Sequence, residues 1–73
     1  MDRQQLRYLL AKEGVPEWAY SLSGGLAEDR LCLDEVHGRW LVYYVERGRR
    51  WNERWFRTED EACRHMLDQL RAG

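Results

Sequence analysis

Cys32, His37, Cys63 and His65 are the side chains here that could ligate zinc, because thiolate and imidazole are the ligands of closed tetrahedral sites. Their spacing speaks against it. Cys63 and His65 stand two apart in a stretch of helical periodicity and face different sides, while His37 belongs to a turn. Buried thiols and solvated imidazoles are the expectation, with no metal and no cofactor. Thirteen carboxylates could supply general acid/base chemistry, but none clusters with a His or a nucleophile. Glu59, Asp60 and Glu61 are explained as the first turn of a helix, where the helix dipole favours negative charge. A chain of 73 residues also leaves little volume for a substrate pocket of at least ~300 Å³. The protein is expected not to be an enzyme.

The chemistry that remains is recognition. Arg47, Arg49, Arg50 and Arg54 crowd one hairpin with Trp51 and Trp55 between them, and such interleaving suits phosphate contact plus base stacking. The order helix, three strands, helix also matches double-stranded-RNA-binding domains. Those domains, however, turn a basic N-terminus of their second helix to phosphates, whereas Glu59-Asp60-Glu61 would repel them. Glu46 and Glu53 dilute the hairpin further. A small RNA- or DNA-binding module is therefore the alternative, and a protein partner comes first.

Composition bounds the rest. A single domain of this size buries only roughly 60% of the surface its unfolded chain exposes, so its core is thin and its four Trp and four Tyr must supply much of it. A net charge of −1 gives no bulk reason to expect nucleic acid or an anionic membrane. The eleven Arg against one Lys fit coding bias as well as an interface. No apolar run approaches the ~20 residues that span a bilayer, and Met1-Asp-Arg-Gln-Gln lacks the apolar core of a signal peptide. A cytoplasmic location is expected, with both cysteines serving as small buried hydrophobes rather than as a bridge.

The elements that position these residues can be traced along the chain. Asp2 caps a first helix, with Gln5 placed to complete a capping box and Leu6, Leu9 and Leu10 on one face. Gly14 and Val15-Pro16 end it. Trp18 to Leu22 is a short apolar segment, an irregular strand or a loop folded on the core, and Ser23-Gly24-Gly25 is a turn. Alternation begins at Asp29, and His37-Gly38 reads as a two-residue hairpin turn. That turn fixes a register with Leu33 opposite Val42 and Leu31 opposite Tyr44, all four sharing a face with Trp40. Gly48 opens a second connection through Arg49, Arg50, Trp51 and Asn52, and a third strand returns through Trp55 and Phe56. Thr58-Glu-Asp-Glu61 caps a last helix, whose apolar stripe is Ala62, Cys63, Met66, Leu67 and Leu70.

Residues 1–73 are thus expected to form one α+β domain of order α-β-β-β-α: a three-stranded antiparallel sheet with two helices packed on one face. The other face would then expose Leu41, Tyr43, Val45 and Trp55, rimmed by Glu46, Arg47, Arg50 and Trp51. An apolar patch of this kind marks a partner surface, or, with a second copy as partner, a homodimer through the exposed sheet face. The competing arrangement has Trp18–Leu22 covering that face.

Trp40-x-Val42-Tyr43-Tyr44-x-Glu46-Arg47-Gly48 followed by Phe56-x-Thr58-Glu59-Asp60-Glu61-Ala62-Cys63 resembles the C-terminal half of small immunity proteins encoded beside bacterial polymorphic toxins. Glu13-Gly14-Val15, Tyr20-Ser21-Leu22-x-Gly24-Gly25 and Glu28 are similar in kind, so the likeness covers most of the chain. The resemblance implies a cytoplasmic protein that binds the catalytic domain of a cognate toxin, NAD-degrading or nuclease in type, and occludes its active site. The hairpin of Arg49, Arg50, Trp51 and Arg54 departs from that pattern in being unusually basic and aromatic, and for a toxin cleft that is acidic or binds a nicotinamide cofactor Arg50 and Trp51 are the residues expected to plug it.

Overall fold

The structure is a computed structural model that describes residues 1–72. Helix α1 (Arg3–Lys12) starts where Asp2 accepts the Gln5 amide and the Gln5 side chain accepts the Asp2 amide, a complete capping box. It ends in a Schellman motif: Gly14, at φ 78°, donates to the Ala11 carbonyl and Val15 donates to that of Leu10. A single 3-10 turn, Glu17–Ala19, leads into β1 (Tyr20–Ser21). Then follow β2 (Leu31–Val36), β3 (Arg39–Glu46), β4 (Arg49–Phe56) and helix α2 (Glu59–Ala72). Thr58 caps α2 by accepting the Glu61 amide at 3.2 Å, while its hydroxyl donates to the Glu61 carboxylate at 3.1 Å.

The sheet is four-stranded and mixed, in the order β1-β2-β3-β4. This corrects the three-stranded antiparallel expectation, because Tyr20 and Ser21 pair parallel with Leu31 and Cys32 at the start of β2. The α+β class and the packing of both helices on one face stand. So does the register: Leu33 faces Val42 and Leu31 faces Tyr44. His37 and Gly38 both take positive φ, 51° and 80°, as a type I′ turn demands.

The main core lies between this face and the helices. Leu6 and Leu10 of α1, Met66 and Leu67 of α2, and Leu33, Trp40 and Val42 of the sheet are buried together. The other face is not open. Cys32, Leu41, Tyr43 and Val45 are completely buried and form a second small core with Ala27 against them. The exposure expected for Leu41, Tyr43 and Val45 is therefore overturned, while Trp55 on the same face stays exposed.

The cover is the loop between β1 and β2, which shields mainly with backbone and Ala27. Tyr43 donates its hydroxyl to the Gly25 carbonyl at 2.6 Å, and Val45 exchanges backbone bonds with Asp29 and Arg30. Gly24 can lie this close only because it lacks a side chain: a Cβ there would stand 2.5 Å from Asp34 Cγ. Trp18–Leu22 has a different role. Tyr20 and Leu22 enter the main core, and Trp18 stays 70% exposed.

Candidate partner-binding surface

Strands β3 and β4 meet at a two-residue turn in which Arg47 and Gly48 both take positive φ, 54° and 73°. Such a φ is ordinary for glycine and costly for arginine. The Glu28 carboxylate stabilises it by accepting the Arg47 amide and, at 3.1 Å, the Gly48 amide. Behind the turn, Trp51 donates its indole N–H to the Glu46 carbonyl at 3.4 Å. The apex is therefore held from the loop side and from its own second strand.

Strand β4 is longer than the sequence suggests. Arg49 to Asn52 are not a connecting loop but the first half of the strand. Its polar residues gave no alternation because Arg49 through Trp55 are all exposed. The strand is also bulged: Arg54 pairs with Val42 and Trp51 with Tyr44, so Asn52 and Glu53 together face Tyr43. Asn52 takes φ 56°, the left-handed conformation that asparagine tolerates better than most residues.

Five of the residues expected to bind a partner, Glu46, Arg47, Arg50, Trp51 and Trp55, come together here and are exposed. Trp51 is 49% and Trp55 51% exposed, unusual for indoles in a small protein. Arg50 sits 4.6 Å over the Tyr43 ring and 3.8 Å from the Glu53 carboxylate. Tyr43 thus acts from below, as a buried platform, and Leu41 and Val45 support it. Neither Glu28 nor Trp18 is expected at this surface from the sequence: Glu28 enters only through the resemblance and nothing near it marks it as a turn brace, and Trp18 sits in an apolar run that reads as core.

Beside the hairpin, on the helix face, an open cleft of about 720 Å³ has Leu31, Val42 and Tyr44 on its floor and Trp18, Arg54 and His65 on its walls. Burial, and then the nearby Arg54 charge, holds the His65 imidazole below its ordinary 6.5. No side chain lining this cleft is a serine, threonine or cysteine nucleophile. The two thiols lie in separate cores on opposite faces of the sheet, and burial pushes Cys63 up to about 11 and raises Cys32 as well. Both are therefore protonated thiols at neutral pH and poor nucleophiles. Among the described residues no three His, Cys, Asp or Glu side chains converge as metal ligands, and no helix is long and apolar enough to cross a membrane.

The arrangement offers cations, indoles and a fixed turn, which suits it to holding another macromolecule. Compared with family models, with curated proteins and with solved structures, the chain matches none.

Proposed function

We propose that this protein is a non-enzymatic inhibitor of the immunity type, which binds the catalytic domain of a bacterial toxin and occludes its active site with the β3–β4 turn. The observation that carries this is the brace on the apex: one carboxylate, Glu28, accepts both turn amides. A turn fixed before binding loses little conformational entropy on contact, and that raises affinity without adding area. Arg47 is the apical charge, with Glu46 and Arg49 beside it. A guanidinium presented this way suits the acidic or phosphate-binding cleft of an NAD-degrading or nuclease toxin.

The resemblance supports the same reading at positions that now have physical tasks. Tyr20 and Leu22 fill the core, Gly24 and Gly25 let the loop lie on the sheet, and Glu28 holds the turn. The test is calorimetric titration into the catalytic domain of a toxin encoded beside this gene. Arg47→Glu is expected to weaken binding by about tenfold or more, roughly the 1.4 kcal/mol that one lost charged contact is worth. Unchanged affinity would remove the turn as the contact.

Exposed Arg49, Arg50 and Arg54 alternating with Trp51 and Trp55 also favour a second reading, a small RNA- or DNA-binding module. A gel shift that fades steeply with salt would support it, since phosphate contacts release counterions. The absence of any shift at low salt would end it.

A further inference from the structure

We infer that the outer edge of β4 pairs antiparallel with β4 of a second copy about a two-fold axis between Asn52 and Glu53, joining two four-stranded sheets into one of eight strands. This goes beyond the toxin-binding reading and does not depend on it.

The backbone provides the first argument. Val45 directs its N–H and C=O to Arg30 and Asp29, away from β4. Residues in an antiparallel ladder alternate in this respect, so Arg50, opposite Val45, points its own N–H and C=O outward. Leu41 lies four residues before Val45 and shares its orientation, so Trp55 opposite Leu41 also points outward. In a regular strand, residues 50 and 55 would have opposite orientations. The bulge at Asn52 and Glu53 resets the alternation and puts Arg50 and Trp55 on one face, with their backbone groups on the same edge.

The side chains provide the second. With the axis between Asn52 and Glu53, Arg50 of one copy lies opposite Trp55 of the other on one face, and Trp51 lies opposite Arg54 on the other face. The two-fold repeats each pair. All four pairs set a guanidinium against an indole, an attractive contact of about 0.5–1 kcal/mol at exposed sites. No like charges meet. Moving the axis to between Trp51 and Asn52 would set Arg49 against Arg54, and moving it to Arg54 would set that residue against itself. The edge is therefore complementary to itself in the register centred between Asn52 and Glu53.

The third argument is closure. An exposed strand of eight residues invites open-ended pairing. The opposite edge of the sheet is only the two-residue β1, so the assembly stops at two copies. Arg47 and Gly48 lie outside the paired stretch, which leaves the turn free for the contact proposed above.

Sedimentation velocity of the isolated chain over a wide concentration range tests this without any toxin. The sedimenting mass is expected to double as concentration rises, and amide exchange at Arg50 and Trp55 to slow in step. Trp55→Arg, which sets a guanidinium opposite Arg50 of the second copy, is expected to weaken association about tenfold or more through two lost cation–π pairs. Adding Arg50→Trp to it restores the complementary order and is expected to restore the dimer. Arg50→Pro removes an N–H that the fold itself does not use, and is expected to give a folded monomer even if Trp55→Arg folds poorly. A wild-type chain that stays monomeric at every concentration would overturn the inference and leave the edge to a strand from another protein. Dimerisation of Trp55→Arg with wild-type affinity, or failure of the double variant to recover, would overturn the register.

Discussion

Glu28 Oε2 accepts the Gly48 amide at 3.1 Å, so a loop residue twenty positions upstream holds the apex of the β3–β4 hairpin. Its other carboxylate oxygen takes the Arg47 amide. Glu28→Ala is expected to cost about 1 kcal/mol of stability, the usual worth of such bonds at an exposed site. The larger effect falls on the turn itself, whose amides should exchange faster and whose affinity for the proposed toxin partner should drop as the fixed geometry is lost. Hydrogen exchange at Gly48 reads the first effect and titration calorimetry the second. Unaltered exchange at Gly48 would mean that the carboxylate does not hold the turn.

Tyr43 is a packing residue with a polar handle, not an exposed anchor. Its hydroxyl donates to the Gly25 carbonyl at 2.6 Å, and its ring carries Arg50 on the outer side. Tyr43→Phe leaves that carbonyl unpaired and is expected to lower stability by about 1–2 kcal/mol. Tyr43→Ala empties the second core and is expected to cost about 3–5 kcal/mol. In so small a domain the latter unfolds much of the population. Chemical denaturation of the two variants separates the cases, and near-equal midpoints would show that the hydroxyl is the only thing that matters there.

The register between β2 and β3 was legible to the residue because one turn signal, His37-Gly38, fixed it and both strands alternate. The capping box at Asp2 and Gln5 was legible for the same reason: local chemistry decides it. What escaped was non-local. Nothing in Tyr20-Ser21 announces a parallel pairing with a strand ten residues away. The loop that covers Leu41, Tyr43 and Val45 does so with glycine backbone and Ala27, which carry no hydrophobic signal, so that face read as bare. The first half of β4 is exposed on both faces and bulged at Asn52, and a strand of that kind has no period to detect. Hence Glu46, Arg47, Arg50, Trp51 and Trp55 are exposed as expected, whereas Leu41, Tyr43 and Val45 are buried where exposure was expected.

Gly24 and Gly25 look interchangeable in sequence but differ in surroundings. Both take positive φ, 71° and 79°. A Cβ on Gly25 meets nothing within 4 Å, so Gly25→Ala is expected to cost only the backbone penalty of about 1–2 kcal/mol. A Cβ on Gly24 would stand 2.5 Å from Asp34 Cγ, so Gly24→Ala must also displace the loop or the carboxylate and is expected to cost clearly more. Pairing Gly24→Ala with Asp34→Ala should recover part of the excess. Equal midpoints for the two glycine variants would remove the close approach as a constraint.

The His65 imidazole gives the fold a pH dependence of its own. Burial against the sheet, and then the Arg54 guanidinium, hold it below 6.5, while Asp68 opposes them. A base held neutral in the folded protein takes up its proton first in the unfolded chain. Stability is therefore full above about pH 6.5 and is lost as pH falls through that value toward the lower folded pKa. A hydrogen bond from Arg71 holds Glu13 below its ordinary 4.5, and hydrogen bonds from the Met1 amino terminus and then from Arg64 hold Asp60 below its ordinary 3.8. Their stabilisation is present above those ordinary values and is lost as pH falls through the lower folded ones. His65→Gln is expected to flatten the thermal unfolding midpoint between about pH 7 and pH 5 while leaving the steeper acid limb in place. A midpoint that still falls across that interval in the variant would assign the slope to another group.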